Sequence, residues 1–167
     1  FVAFALWWGM NRTKQGKLFG DLSYLLDAGS RVSVIFGVTD NRFEIPNVPG
    51  QTPAFTLSGA PPVDSAALDA NQRERTRFAA LSYQGSAGAD VDYQVSLFTR
   101  TSEVHYMPDP VGDLVFNGIA ADITRRNEAG GLQADLAWRL GAAHTLRTGV
   151  FAQREHFTVG NTSQVFP

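Results

Sequence analysis

No cysteine occurs in the 167 residues, which removes disulfide frameworks and thiolate metal sites and is neutral about compartment. Long hydrophobic runs are missing too. The longest nearly continuous one, Phe1 to Met10, is far short of the ~20 residues a membrane helix requires. Hydropathy alone would therefore read as a soluble chain, an unsafe inference because barrel strands give a much weaker signal per segment than helices. There is no basic excess: 14 Lys and Arg face 16 Asp and Glu, for a net charge of -2 and a pI near 5.9, so nucleic acid is not an expected partner. Apolar content of 44% argues against disorder and for one domain.

Catalytic and ligand-cradling motifs are also lacking. No GxSxG or Ser-x-x-Lys stretch occurs. Gly85-Ser86-Ala87-Gly88 and Gly130-Gly131 lack the spacing and following Lys of a phosphate loop and read as turns or kinks. Asp109, Asp113 and Asp122 do not have the spacing of a calcium loop. His105, His144 and His156 have neither a second His nor a carboxylate at ligand spacing, and Glu155, beside His156, points to the opposite face of a strand. The expectation is a protein that is not an enzyme, with no catalytic residue, metal or cofactor.

What is present is strand after strand. From Asp90 to Tyr106, Val91, Tyr93, Val95 and Leu97 alternate with Asp92, Gln94 and Ser96, the pattern of a strand with one wet face. That stretch is about twice the usual soluble strand of five or six residues, and a strand crossing a bilayer needs roughly 9–11. The same alternation predicts strands over Leu18–Leu26, Arg31–Ile45, Gln72–Gln84, Asp122–Leu140 and Thr145–Val159. Phe1 to Gly9 is harder to place. It lacks the basic lead and small-residue cleavage pattern of a secretory signal and reads as part of a preceding strand, with residues 1–12 poorly defined.

Three regularities point to a membrane barrel. All eight prolines fall in loops or at strand ends, as their exclusion from paired strands requires. Turns alternate between short (near Asp27, Ser86 and Gly141) and long (46–71 and 107–121), so short turns gather on one side and long loops on the other. Tyr24, Tyr83, Tyr93 and Trp138 each fall three residues from a short turn, on the apolar face. Their apolar bodies and polar tips suit the boundary between hydrocarbon and headgroups, so they are expected to form a girdle. The expected fold is an all-β, antiparallel up-and-down transmembrane β-barrel, present in part. It has about six or seven long strands, short periplasmic turns and long extracellular loops, with residues 1–167 forming part of one barrel domain.

The runs VSVIFGVTDNRFEIPNVPGQTP, DYQVSLFTRTSEVHYMPDPVGDLVFNGIAADI and GLQADLAWRLGAAHTLRTGVF resemble the barrel portion of TonB-dependent outer-membrane receptors. The resemblance covers roughly Lys17 to Pro167 and consists of strand-and-loop texture more than a diagnostic signature. It implies a barrel of about 22 strands around a plug in the bacterial cell outer membrane. The implied partners are membrane lipid, a plug domain of the same chain and a TonB-type energy transducer. The implied activity is energised uptake of a scarce small-molecule ligand such as a ferric siderophore, another metal chelate or cobalamin. On this reading the 167 residues are a piece of that barrel, and expressed alone they are not expected to form a stable monomer in detergent.

Two alternatives share the strand pattern. One is a passive outer-membrane porin. The other is a soluble antiparallel β-barrel binding protein, which would bury Tyr93, Val95 and Leu136 in a core. Ligand contacts are expected on the long-loop side, where aromatic faces and guanidinium groups suit planar anionic chelates. The candidates are Arg42, Phe55, Tyr106 and Arg125, with Phe43, Phe116 and Arg126 behind them. Asp92, Arg100, Asp135, Arg139, Arg147 and Glu155 are expected to form a polar network on the opposite, lumen-lining face.

Overall fold

A computed structural model describes residues 2–10, 13–59 and 61–166. Seven strands form one open antiparallel sheet in strict sequence order: β1 (Val2–Met10), β2 (Thr13–Leu25), β3 (Arg31–Glu44), β4 (Asn71–Ala87), β5 (Val91–Met107), β6 (Ile119–Leu140) and β7 (His144–Val165). Each strand pairs only with its sequence neighbours, so the topology is a simple meander.

Alternation fixes the register, because a one-residue slip would turn every apolar side chain to the other face. Cross-strand rows run Leu22, Val34, Leu81, Leu97, Leu132, Ala152 and Tyr24, Val32, Tyr83, Val95, Ala134, Val150. The face carrying these rows is apolar. On the other face, one row runs Ser23, Ser33, Ser82, Ser96, Gln133, and its hydroxyls bond in pairs: Ser23 with Ser33 at 2.9 Å and Ser82 with Ser96 at 2.9 Å.

Strand bounds differ from the sequence reading mainly by extension. β6 and β7 each run 22 residues, because the polar upper halves, which break the apolar alternation, still pair through Ile119 with Val165. Val2–Met10 is a strand pairing with β2; Phe1, Asn11 and Arg12 lie outside the described residues. Short connections at 26–30, 88–90 and 141–143 gather at one end of the sheet, and the 45–70 and 108–118 segments at the other. Met10 pairs with Thr13 at the long-loop end of the sheet. Gly88 (φ 68) and Gly141 (φ 73) open the two three-residue turns with positive φ, which a residue bearing a Cβ resists.

The buried core is small. Among the described residues the buried apolar side chains are Ala70, Val115, Ala120 and Ala129, gathered mostly near the long loops. Among the described residues no second layer covers the apolar face: Tyr24 is 70% exposed, Val95 44% and Val150 62%.

Candidate functional site

The two long loops are tied into one lid. Ile45 N–H donates to Ala70 O at 2.8 Å, closing the base of the first. Within it, Asn47 Nδ2 donates to Leu68 O at 2.7 Å, and Asp64 caps a single 3-10 turn, Ser65–Ala67, by accepting Ala66 N–H at 2.9 Å. The second loop contains a six-residue helix, α1 (Gly112–Asn117), where the sequence indicated only loop. Asp109 explains it. Its Oδ1 accepts the N–H groups of Val111 (3.1 Å) and Gly112 (2.8 Å), starting the turn, while its Oδ2 accepts Asp69 N–H (3.0 Å) from the first loop. Burial pushes the Asp109 carboxyl up, but these three backbone donors outweigh it and hold the group below its ordinary range. The first loop answers at its other end, where Ala54 and Phe55 N–H both donate to Val115 O.

The structure divides the four ligand-contact candidates. Tyr106 and Arg125 share the polar face in adjacent cross-strand rows, Tyr106 opposite Ile123 and Arg125 opposite Val104. Phe55 is a packing residue of the lid, stacked on Phe166 at 4.7 Å. Arg42 is on the apolar side of the sheet, on the same parity as Val34 and Val38, and therefore does not join Tyr106 and Arg125. Arg126 is on that side too, ion-paired with Glu128 at 2.5 Å.

The polar face carries part of the expected charge network. Arg139 reaches Asp92 at 3.1 Å, and Ser86 Oγ donates to the same carboxylate at 2.8 Å. Arg100 approaches Glu155 at 4.0 Å, and Asn127 Nδ2 donates to Glu155 at 2.6 Å. Asp135 accepts from Gln133, whereas Arg147 has no ion pair among the described residues. At the short-turn end a cavity of about 770 Å³ is lined by Arg31, Gln84, Asp92, Asp135 and Arg147, among others.

Aromatics on this face were not singled out from the sequence. Phe19 and Phe78 approach at 6.5 Å across Gly37, and Phe98 and Phe151 stack at 5.6 Å beside Gly131. Their signal was available as apolar residues breaking the polar parity of each strand.

Tyr24, Tyr83, Tyr93 and Trp138 all lie on the apolar face. Tyr24 and Tyr83 share one row through Val32, Tyr93 lies one row nearer the turns opposite Gly85, and Trp138 one row further opposite Val91. The Tyr83 and Tyr93 rings are 5.9 Å apart with their hydroxyls at 3.5 Å.

Toward the long loops the same face turns ionic. Asp40, Arg73, Arg75 and Glu103 form a chain of ion pairs. His105 Nε2 is 2.9 Å from both oxygens of Asp122. Sequence spacing does not indicate this pair, since seventeen residues separate the two and the β5–β6 register joins them. Among the described residues no group of three His, Cys, Asp or Glu could hold a metal ion. Comparison with protein-family models, with curated proteins and with solved structures finds no match.

Proposed function

We propose that this chain is part of the barrel of a TonB-dependent outer-membrane receptor, crossing the bacterial outer membrane with β-strands. The observation that carries the reading is the contiguous apolar face without a covering layer, bounded by tyrosines on one side and by ion pairs on the other. In water such a face would cost roughly 25 cal/mol for each exposed Å², and patches of this extent mark contact with another apolar phase. From Gly130 to Leu140 the face spans about 33 Å of strand, or about 25 Å along the normal at a tilt of roughly 40°, the height of a barrel's lipid band. The girdle residues step one way across the sheet from Tyr24 to Trp138, as tilted strands require if the girdle is to be level.

Both edges support the same view. β1 and β7 each pair on one side only within this chain, and unpaired backbone groups in lipid cost several kcal/mol each. Further strands of the same barrel would satisfy them.

The polar face favours a filled interior over an open pore. Phe19, Phe78, Phe151 and Phe157 are all exposed on it, an expensive lining for a water channel and a suitable one for a plug. In this account Tyr106 and Arg125 face the ligand path beneath the lid, and transport requires the plug and an energy transducer. The test uses the full-length polypeptide. It should fractionate with outer membranes, migrate faster before boiling than after, and support uptake of a ferric chelate that a protonophore abolishes. Recovery in the soluble fraction contradicts the membrane reading, and uptake that continues after de-energisation contradicts the receptor reading.

A further inference from the structure

Just beyond the apolar band, at the long-loop end, three cations stand directly opposite one another on adjacent strands: Lys14 on β2, Arg42 on β3 and Arg73 on β4. All three are on the apolar-face parity. Like charges placed opposite each other on a sheet repel, and the ion pairs of Asp40 and Glu103 go to Arg73 and Arg75 rather than to Lys14 or Arg42. Asp40 is held by Arg73, whose Nε donates to Oδ1 at 2.9 Å and Nη2 to Oδ2 at 2.5 Å, and it also takes Arg75 at 3.5 Å. Glu103 is engaged by Arg75 at 3.6 Å. Lys14, Arg42 and, two residues below Arg75 on its strand, Arg77 have no ion-pair partner among the described residues.

The cluster encloses space. Gly16, opposite Asp40, leaves its place in the row without a side chain, and Lys14, Gly16, Asp40, Arg42 and Arg73 line a notch of about 290 Å³. Directly below it the next row runs Leu18, Val38 and Arg77, with both apolar side chains exposed. A ligand that satisfies both levels has an anionic head and an apolar tail.

We propose that this notch binds the phosphate of an anionic lipid headgroup, with Lys14 and Arg42 as the principal contacts, Arg73 held in place by Asp40, and the acyl chains lying over Leu18 and Val38. Charge complementarity and position select the occupant: unpaired cations one step beyond an apolar wall meet phosphate where a lipid's own boundary falls. The site rests on the membrane reading above and deepens it by naming a specific lipid contact.

The test uses full-length protein in detergent micelles doped with phosphatidylglycerol, with retained lipid counted by native mass spectrometry. Removing Lys14 and Arg42 together (Lys14→Gln, Arg42→Gln) should weaken retention about tenfold, with the heat-modifiable fold intact. An equal charge removal on the polar face (Arg31→Gln, Arg147→Gln) should leave retention unchanged. Phosphatidylcholine, which carries no net charge, should be retained equally by all three proteins. Equal phosphatidylglycerol retention by the apolar-face variant and the parent overturns the site while leaving the membrane reading intact. Inorganic phosphate binding to the parent in the absence of any lipid retention overturns the lipid as occupant. Failure of the parent to enter micelles overturns both.

Discussion

The Phe98 ring lies across Gly131 on the neighbouring strand, its Cζ 2.7 Å from where a Cβ on that glycine would stand. The same Cβ would also meet Gln153 Cα at 3.0 Å and the Ala152 carbonyl oxygen. Phe98 has taken the space the glycine vacates and covers the backbone there, the device by which aromatics stabilise glycines in strands.

Gly131→Ala should therefore destabilise the sheet by about 1–3 kcal/mol, the usual range for overpacking. Trimming Phe98 should restore only part of the loss, because two of the clashing atoms are backbone. Gly37 provides the comparison: there the nearest atoms all belong to the Phe78 ring, so Gly37→Ala combined with Phe78→Leu should recover most of its loss. Urea midpoints of the full-length single and double variants measure both.

Leu136 and Gln133 are three residues apart and on opposite faces. On a lipid-facing wall just inside the girdle, Leu136→Arg should cost up to about 2 kcal/mol, less than at the midplane, while leaving a folded, heat-modifiable protein. Gln133→Arg, beside Asp135 on the polar face, should cost under about 1 kcal/mol. Loss of all folded protein with Leu136→Arg would instead mark a dry core of the kind a soluble barrel has.

Asp109 makes the lid sensitive to acid. Its carboxyl is held below the ordinary range, so the stability it adds is fully present above the unfolded pKa of about 3.9 and is lost as pH falls through the lower folded value. Amide exchange at Asp69, Val111 and Gly112 should accelerate relative to strand amides as pH drops below about 4. Asp109→Asn should raise exchange at those positions at neutral pH, costing about 1 kcal/mol, and should flatten the pH dependence. Unchanged exchange at Asp69 in the variant would show that the two loops are not joined through this side chain.

How much was legible beforehand follows from which signals are local. Period-two alternation placed every strand from β2 to β7 and assigned Tyr24, Tyr83, Tyr93 and Trp138 to one face, because side-chain parity needs no knowledge of a neighbour. The same parity was enough to put Lys14, Arg42 and Arg73 on the apolar face, yet their meeting in one row depends on three strand registers, which turn lengths alone do not give. Arg42 separates from Tyr106 and Arg125 for a related reason: loop proximity groups the three, whereas parity places Arg42 on the other face. Helix α1 was missed because its six residues are too few for a period to show, and its start depends on an aspartate that also reaches another loop. The pairing of His105 with Asp122 was beyond reach for the reason that hides any cross-strand pair: spacing in sequence says nothing until the register is known.

The central claim, that the alternating apolar face meets lipid, is tested most directly by single spin labels introduced at Gln133, Ala134, Asp135, Leu136 and Ala137 of the reconstituted full-length protein. None of the 167 residues is a competing cysteine. The account predicts a period of two: labels at Ala134 and Leu136 collide freely with oxygen and poorly with a water-soluble nickel complex, while those at Gln133, Asp135 and Ala137 do not show that oxygen preference. Labels at Ala134 and Leu136 that are shielded from both reagents, as in a packed soluble core, would contradict it.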